Sequence, residues 1–384
     1  MKLTHEFYRL PLRFDVARMQ QEISQFAEPQ WLPHHEGFKG NLAIPLISVN
    51  GKINNDFKGP MQTTEALEKC EYLQQVIASF GEVFGRSRLM ALEPGCEVPL
   101  HSDINYHWYK RVRIHIPITT TEDVIFHCGD KQVNMQQGEC WIFDSWKNHK
   151  VVNHSNKRRV HLVIDTTGSS KFWRTVANSF IPGVQEQQAT DSLLEFQPEQ
   201  RPQILTEKFN APLVMSPGEV DWLVAELFSE LDSNQQNDEG IKQEFMQKVK
   251  AFADDWRQAF SQFATEESGW PVYHKLRDTL YQQTREYSNN LHLANHGGAT
   301  QMLIHCLIDP CFNPEIAKFN VAANHVPATA EPSKVAGNQQ QPVSKAQPLP
   351  ANSEGTPSAT PISRNAPCSC GSGKKFKQCC GRLG

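Results

Sequence analysis

The chain has 384 residues, of which 39% are hydrophobic and 21% charged, and its formal net charge is −4. This length and composition predict a globular protein of two or three folded units. The weak negative charge argues against duplex nucleic acid as a partner, and no apolar run approaches the roughly 20 residues of a membrane span. The first residues, MKLTHEFYRLPLRFDV, lack the features of a signal peptide, so we expect a cytoplasmic protein.

Residues 1–168 predict a unit of the α+β class. Two amphipathic segments are expected to be helical, PLRFDVARMQQEISQF and TEALEKCEYLQQVIASFGEVF, the second capped by Thr63 or Thr64. Apolar residues then alternate with other residues in four runs: RSRLMALEP, RVRIHIPI, GECWIFD and RRVHLVID. A period of two, broken by glycine and proline, predicts short antiparallel strands in a sandwich or barrel.

Residues 169–312 are expected to form a helical domain. Ser216 and Glu219 have the spacing of a capping box, and Pro217 stands at the first helical position. The helix that follows carries an apolar stripe, and a second stripe runs from Ile241 to Phe263. We interpret both stripes as helix packing rather than as a cofactor site.

The end of the chain predicts a tether and a small metal-binding segment. Residues 313–363 are rich in Pro, Gln and Ser and are expected to be a disordered linker. Residues 364–384 hold four clustered cysteines, whose thiolates can close a tetrahedral zinc site: Cys368, Cys370, Cys379 and Cys380. The alternative is a redox-active or incidental cluster. The six other cysteines are expected to be small core residues without disulfides.

A possible iron site begins at His101-Ser102-Asp103. Residues two apart on an extended segment point the same way, so His101 and Asp103 can face one metal. His149, which follows the GECWIFD strand, is the best third ligand. Two histidines and one carboxylate are the ligand set of non-haem iron(II) oxygenases, which leaves coordination positions for a cosubstrate and oxygen. Three other histidines are interpreted as ordinary surface or core residues: His107, His127 and His154.

Basic residues accompany these candidate ligands on two strands. Arg159 lies ten positions after His149, opposite the apolar face of its strand, and Arg113 and His115 repeat the pattern on another strand. Solvent exposure would explain one such strand. Two such strands beside a candidate metal site favour a pocket that binds an anion. In such a pocket a guanidinium binds a dicarboxylate in a bidentate manner.

Taken in order, the HxD segment, the basic strand, Gly138-Glu139, and His149 followed by Arg159 resemble the aspartyl/asparaginyl β-hydroxylase family, which includes bacterial cis-proline hydroxylases. The resemblance covers residues of roughly 40 to 167. It implies a double-stranded β-helix, a jelly-roll fold like that of the cupins. It also implies hydroxylation of Asp, Asn or Pro, free or within a polypeptide, with Fe(II), O₂ and 2-oxoglutarate.

The family resemblance also implies roles for individual residues. His101, Asp103 and His149 would bind the iron, and Arg159 would bind the far carboxylate of 2-oxoglutarate. Arg113 and His115 match positions that help to hold the cosubstrate or the substrate. A cupin-like metalloenzyme that does not use 2-oxoglutarate is an alternative, but it leaves Arg159 unexplained.

The cysteine cluster resembles the SEC-C motif found at the C-terminus of the preprotein translocase ATPase, although here the last ligand is Cys380 instead of histidine. The resemblance implies bound zinc and a partner such as a SecB-type export chaperone or the ribosome. Four basic residues give the segment a positive face. An alternative to an active hydroxylase is therefore a catalytically silent barrel that serves as a binding module for such a partner.

Overall fold

The computed structural model describes residues 1–34, 37–185 and 190–319, and all of them belong to one compact unit. The cysteine cluster and the linker from residue 320 onward lie outside the described residues. The strands are β1 (Phe7–Phe14), β2 (Leu32–Pro33), β3 (Asn41–Val49), β4 (Met61–Thr63), β5 (Val83–Leu92), β6 (Glu97–His101), β7 (Val112–Thr119), β8 (Val124–Cys128), β9 (Lys131–Val133), β10 (Glu139–Phe143), β11 (His149–Asn153), β12 (Arg159–Thr166), β13 (Ser192–Leu194) and β14 (Leu205–Thr206). The α-helices are α1 (Val16–Ile23), α2 (Glu65–Glu68), α3 (Glu71–Ser79), α4 (Tyr106–Lys110), α5 (Ser170–Ala177), α6 (Pro217–Ser233), α7 (Glu239–Phe263), α8 (Trp270–Thr284) and α9 (Ala299–Met302), and a π-helix follows at Leu303–Ile308.

The strands form two sheets. The large sheet has the order β13-β1-β10-β7-β12-β5-β3-β2, with β4 beside β3 and β14 beside β5, and the small sheet has the order β6-β11-β8-β9. From β5 to β12 the chain passes back and forth between the two sheets, and these strand pairs are antiparallel. This alternation is a double-stranded β-helix, so the predicted α+β fold with a jelly-roll core is confirmed.

The two faces of the large sheet carry different kinds of residues. Along β12, Val160, Leu162 and Ile164 belong to a buried apolar cluster that also includes Leu73 and Val76 of α3. The opposite face of the same strand carries Arg159, His161 and Asp165, because successive residues of a strand point to opposite sides. This second face is turned toward the small sheet, so the predicted alternation positions polar residues inside the barrel.

The helices from α6 onward form a second apolar cluster. It contains residues of α6 and α7 together with Tyr109 of α4 and with Ile104 and Trp146 from loops of the barrel. The predicted cap is present, since the Ser216 hydroxyl accepts from the Glu219 amide at 3.3 Å. The reciprocal half of the capping box was wrong, because the Glu219 carboxylate instead accepts from the Tyr106 hydroxyl, which α4 brings within 2.7 Å.

The segment between the barrel and these helices is attached to the large sheet. β13 pairs with β1, and β14 pairs with β5, so the continuous series of packed helices starts at α6. At the other end, the packed chain continues past residue 312, because the Asn313 side chain is buried and donates to two backbone carbonyls. The division of the chain at residues 168 and 312 stays a prediction.

Two predicted helices are shorter than expected. Pro11–Phe14 extend β1, since pairing with β10 and β13 overrides the helical pattern, and the helix begins only at Val16. The second segment splits into α2, capped by Thr64, and α3. The break arises because the Glu22 carboxylate accepts from the amides of Tyr72 and Leu73 and so caps a new helix start.

The six cysteines that the structure describes are free, in agreement with their predicted role as unpaired residues, and five of them are buried. Within the described ranges, no helix combines the length and the apolar content that crossing a bilayer requires.

Candidate metal centre

His101 and His149 face each other on neighbouring strands of the small sheet. His101 ends β6 and His149 begins β11, and the two residues are direct partners in the antiparallel register. Their ring centroids lie 4.2 Å apart. Asp103 follows in a loop that a hydrogen bond fixes, since its amide donates to the Ser145 carbonyl at 2.9 Å. The structure thus brings together the three residues that the sequence singled out as ligands.

Hydrogen bonds orient both imidazole rings. Nδ1 of His101 lies 2.7 Å from the Pro99 carbonyl, and Nδ1 of His149 lies 2.9 Å from the Lys147 carbonyl. A carbonyl can only accept, so we assign the proton to Nδ1 in each ring and the free lone pair to Nε2. Backbone carbonyls commonly hold metal-binding histidines in this tautomer.

The three candidate donor groups are close enough to share one ion. Nε2 of His101 and Nε2 of His149 lie 3.9 Å and 4.0 Å from the Asp103 carboxylate oxygens. All three ligand atoms lie within 4.8 Å of one another. Two donors on one face of a metal, each about 2.1 Å from it, lie roughly 3 Å apart. The measured His–Asp distances are about 1 Å longer than this, so a small movement of the side chains would bring the two imidazoles and the carboxylate onto one ion.

Burial keeps His149 ready to bind a cation. The residue is 3% exposed, and burial lowers the pKa of its ring to about 4, against the opposing effect of the Asp103 charge. The ring is therefore neutral at pH 7, and its Nε2 lone pair is available. This matters because a protonated imidazole cannot serve as a ligand.

A buried ionic network supports the Asp103 carboxylate. Arg113 lies 3.1 Å from Asp103 and 3.5 Å from Asp165, and its guanidinium stacks 3.9 Å from the ring centroid of Trp108. Asp165 in turn lies 3.1 Å from Nε2 of His107. Although burial opposes it, the bond from His107 and the charge of Arg113 hold the pKa of Asp165 well below its usual range.

A cavity of about 380 Å³ opens beside the triad and contains the predicted basic residues. Arg159 is 4% exposed, and its Nε has no hydrogen-bond partner among the described residues. Burial lowers the pKa of Arg159 to about 10, which leaves it charged at neutral pH. Both ring nitrogens of His115 are likewise buried without a partner in the described part of the chain. A buried guanidinium with an unused donor can bind an anion, and a dicarboxylate has the charge and the planar oxygen pair that match it.

Two further arginines line the same cavity and were not among the residues predicted from the sequence. Arg86 and Arg88 alternate along β5 on the face that carries the lining residue Met90. The signal was the one used for Arg113 and Arg159, namely basic residues alternating with other residues on a strand. The apolar residues of this strand predict its buried face, and the same alternation indicates that Arg86 and Arg88 share the other face.

The histidines that were not predicted to bind metal lie in different parts of the structure. His107 is buried in the ionic network, and burial lowers its pKa to about 4. His127 and His154 are at least partly exposed on the small sheet and its following turn, and neither lines the cavity. The helical part of the chain contributes Gln301 and His305 to the cavity lining, which no pattern in the sequence indicated.

Comparisons with known proteins agree with this geometry. The family model described as "Aspartyl/Asparaginyl beta-hydroxylase" matches residues 49–168, and the SEC-C motif model matches residues 364–382. A search of curated proteins gave no match.

Solved structures resemble the chain only distantly. A 2OG-Fe(II) oxygenase family oxidoreductase from Burkholderia pseudomallei is 12% identical, with 40% of this chain and 78% of that chain covered and a TM-score of 0.31. A Pseudomonas putida prolyl-4-hydroxylase is 15% identical, with 42% and 92% covered and a TM-score of 0.29. A Trichoplax adhaerens prolyl hydroxylase, in complex with a hypoxia inducible factor peptide fragment, is 11% identical, with 45% and 87% covered and a TM-score of 0.31. The family match of residues 49–168 rests on the sequence, and the chain thus carries a domain of the aspartyl/asparaginyl β-hydroxylase family followed by a SEC-C motif.

Proposed function

We propose that this oxygenase hydroxylates an Asp, Asn or Pro, free or within a polypeptide, at an iron(II) held by His101, Asp103 and His149. The observation that carries the proposal is the close approach of these three side chains, within 4.8 Å, beside a buried arginine with an unused donor. Zinc and other metals also bind such ligands, but the family match favours iron.

The cosubstrate 2-oxoglutarate is assigned to Arg159 and His115. The guanidinium of Arg159 would bind the distal carboxylate, and the neutral His115 ring would donate one hydrogen bond beside it. When bound together, iron and 2-oxoglutarate supply the oxygen chemistry, in which one oxygen atom enters succinate and the other the substrate hydroxyl, with release of CO₂. The protein's own contribution is to hold the carboxylates, orient the ligands and limit the access of water.

The ionic network behind the triad would act as a positioning device. Arg113 contacts Asp103 from one side and is itself held by Asp165 and Trp108. The Asp103 carboxylate is thereby oriented before a metal binds, and its negative charge is stabilised inside the protein. We assign Arg113 to this role, whereas the family resemblance suggests that Arg113 helps to hold the cosubstrate or the substrate.

The C-terminal segment is assigned a separate role. Cys368, Cys370, Cys379 and Cys380 would bind one zinc ion, which would give the short segment its folded structure. Its basic residues would then recruit a protein or ribosomal partner. A pull-down that compares the full chain with a variant lacking residues 364–384 tests this role, and an unchanged set of partners would contradict it.

Turnover of 2-oxoglutarate tests the catalytic proposal. The wild-type protein, supplied with Fe(II) and O₂, should convert 2-oxoglutarate to succinate and CO₂, and His101→Ala should abolish the conversion. Mass spectrometry of free amino acids and of captured proteins should then reveal a product heavier by one oxygen atom. If succinate forms equally in both proteins, or in neither, the barrel is a binding module and not an oxygenase.

A further inference from the structure

The loop between β10 and β11, residues 144–148, supports two of the proposed iron ligands through its backbone. The Lys147 carbonyl lies 2.9 Å from Nδ1 of His149, and the Ser145 carbonyl accepts from the Asp103 amide at 2.9 Å. The position of this loop therefore fixes the direction of the His149 ring and the place of Asp103 beside it. Groups that hold a metal-binding histidine in this way commonly affect metal affinity.

The barrel holds this loop at its two ends. The Asp144 amide donates to the Glu6 carbonyl at 3.0 Å, and the Asn148 carbonyl accepts from the Gly129 amide at 2.9 Å. Between these ends, the Trp146 amide donates to the Asp144 carboxylate at 3.0 Å, which is a bond within the loop. The middle of the loop is therefore fixed in the barrel by the partners of its other polar groups.

Asn295, from the helical region that begins at α6, contacts the middle of the loop. Its side-chain amide nitrogen donates to the Trp146 carbonyl at 2.5 Å, and its backbone carbonyl accepts from the Asn148 side chain at 3.0 Å. Its side-chain oxygen accepts from the Gly297 amide at 2.9 Å, which assigns the nitrogen as the donor toward the loop. The two bonds to the loop lie on either side of Lys147, whose carbonyl orients His149.

The turn that carries Asn295 is itself fixed to α6. The buried Glu230 carboxylate accepts from the Ala294 amide at 3.0 Å and from the Trp146 indole at 3.2 Å. One side chain of α6 thus holds both the turn and the loop. Asn295 is therefore presented to the loop by a rigid element, as a group that supports a metal site requires.

We propose that Asn295 is a positioning residue of the metal centre, through which the helical region sets the metal affinity and the ligand geometry of the barrel. The inference rests on the proposed iron site and adds to it a residue outside the family match of residues 49–168. Without Asn295, the loop would have to be ordered when the metal binds, and this ordering would reduce the binding free energy.

Asn237 provides a matched control, because Asn295 could instead serve only to fasten the helical region. Both asparagines are half-buried. The Asn237 side chain donates to the carbonyls of Leu231 and His292 at 3.0 Å and 2.9 Å, and it accepts from the His292 amide at 2.9 Å. It thus joins parts of the helical region to each other, and these bonds do not involve the loop that supports the ligands.

Two measurements on the full-length protein test the inference. Calorimetry gives the Kd for Mn(II), which suits oxygen and nitrogen donors and is poorly suited to the cysteine cluster. Anaerobic addition of Fe(II) and 2-oxoglutarate gives a visible charge-transfer absorption, whose wavelength depends on the geometry of the ligands. Circular dichroism and thermal unfolding show whether each variant is folded and how far it is destabilised.

Asn295→Asp keeps the size of the side chain and the acceptor for Gly297, but it removes the bond donated to Trp146. We expect the Kd for Mn(II) to rise about tenfold, the low end of the range for groups that support metal ligands. The charge-transfer absorption at saturation should also shift in wavelength. Asn148→Ala removes the other bond to Asn295 and should act in the same direction.

Asn237→Asp introduces the same charge and also breaks hydrogen bonds of the helical region. It should lower the Tm as Asn295→Asp does, but the Kd for Mn(II) should change less than about twofold and the absorption should not shift. If Asn295→Asp does not fold, Asn148→Ala decides the question against the same control.

The inference is wrong if the folded Asn295→Asp and Asn148→Ala proteins have the affinity and absorption of the wild type, or if Asn237→Asp changes both equally. A wild-type protein that binds Mn(II) and develops the absorption leaves the proposed iron site intact in either case. A wild-type protein that does neither overturns both proposals.

Discussion

Asp103 lies 3.1 Å from Arg113, so a candidate metal ligand is also one partner of a buried ion pair. The guanidinium is held on its other sides by Asp165 and by the face of Trp108. The arginine orients this carboxylate without a metal, because the ion pair fixes the position of both side chains. The ion pair therefore connects the iron site to the large sheet behind it.

Removal of this arginine should weaken metal binding. Arg113→Met should raise the Kd for Fe(II) or Mn(II) by about 10- to 100-fold, as expected when a group that supports a ligand is lost. Arg113→Lys keeps the charge and should recover part of the affinity. Calorimetry under anaerobic conditions measures both, with Arg201→Met, a surface variant, as the control. Equal affinity in Arg113→Met and the wild type would contradict the positioning role.

Substitution of Arg159 should weaken the binding of 2-oxoglutarate and leave the affinity for the metal unchanged. Arg159→Met should raise the Kd for 2-oxoglutarate by roughly 10- to 100-fold, because two charge-assisted hydrogen bonds are lost. Arg159→Lys retains one such bond and should fall between the two. The Kd for Mn(II) alone should change less than about twofold. A cupin-like metalloenzyme that does not use 2-oxoglutarate would instead show no difference in 2-oxoglutarate binding.

The buried histidine of the network should make the fold sensitive to acid. Burial lowers the pKa of His107 to about 4, below the 6.5 of a free histidine. The unfolded chain therefore binds a proton that the folded chain does not, and the free energy of unfolding should fall as the pH drops from about 6.5 to 4. Above pH 6.5 this contribution is fully present.

His107→Gln tests this sign, since glutamine can still donate to Asp165 but does not titrate. Urea unfolding between pH 7 and pH 4.5 measures how the free energy of unfolding depends on pH. This free energy should fall less steeply in the variant, by the slope that corresponds to about one proton fewer taken up on unfolding. Other buried histidines will preserve part of the slope. An identical slope in both proteins would show that His107 is not the titrating group.

Zinc content tests the cysteine cluster. The purified chain should contain about one zinc ion, and Cys368→Ser, Cys370→Ser, Cys379→Ser or Cys380→Ser should each reduce this content strongly. Cys96→Ser, which changes a partly buried cysteine of the barrel, should not. Elemental analysis by mass spectrometry measures the metal. Retention of zinc in a variant that lacks all four thiols would contradict the assignment.

Much of the barrel could be predicted from the alternation of residues along single strands. Val160, Leu162 and Ile164 pack outward as the pattern of β12 required, and the same rule turned Arg159 inward. The candidate ligands were recognisable because His101 and Asp103 lie two residues apart in an extended segment. These features depend only on residues that are close in the sequence, so the sequence pattern is sufficient to predict them.

The features that could not be predicted depend on contacts between distant parts of the chain. Arg86 and Arg88 obey the same alternation, but only the small sheet determines that their face is inside the barrel. The pairing of His107 with Asp165 joins residues 58 positions apart, which no spacing in the sequence indicates. The same holds for β1, where pairing with β10 overrode a helical pattern at Pro11–Phe14.

The most direct test of the central claim is anaerobic titration of Fe(II) and 2-oxoglutarate together, followed by the visible charge-transfer absorption of the chelate. The wild-type protein should develop this absorption with one iron per chain. His101→Ala and His149→Ala should abolish it, and Arg159→Met should require far more 2-oxoglutarate to reach it. Full development of the absorption in His101→Ala and His149→Ala would contradict the proposed iron centre.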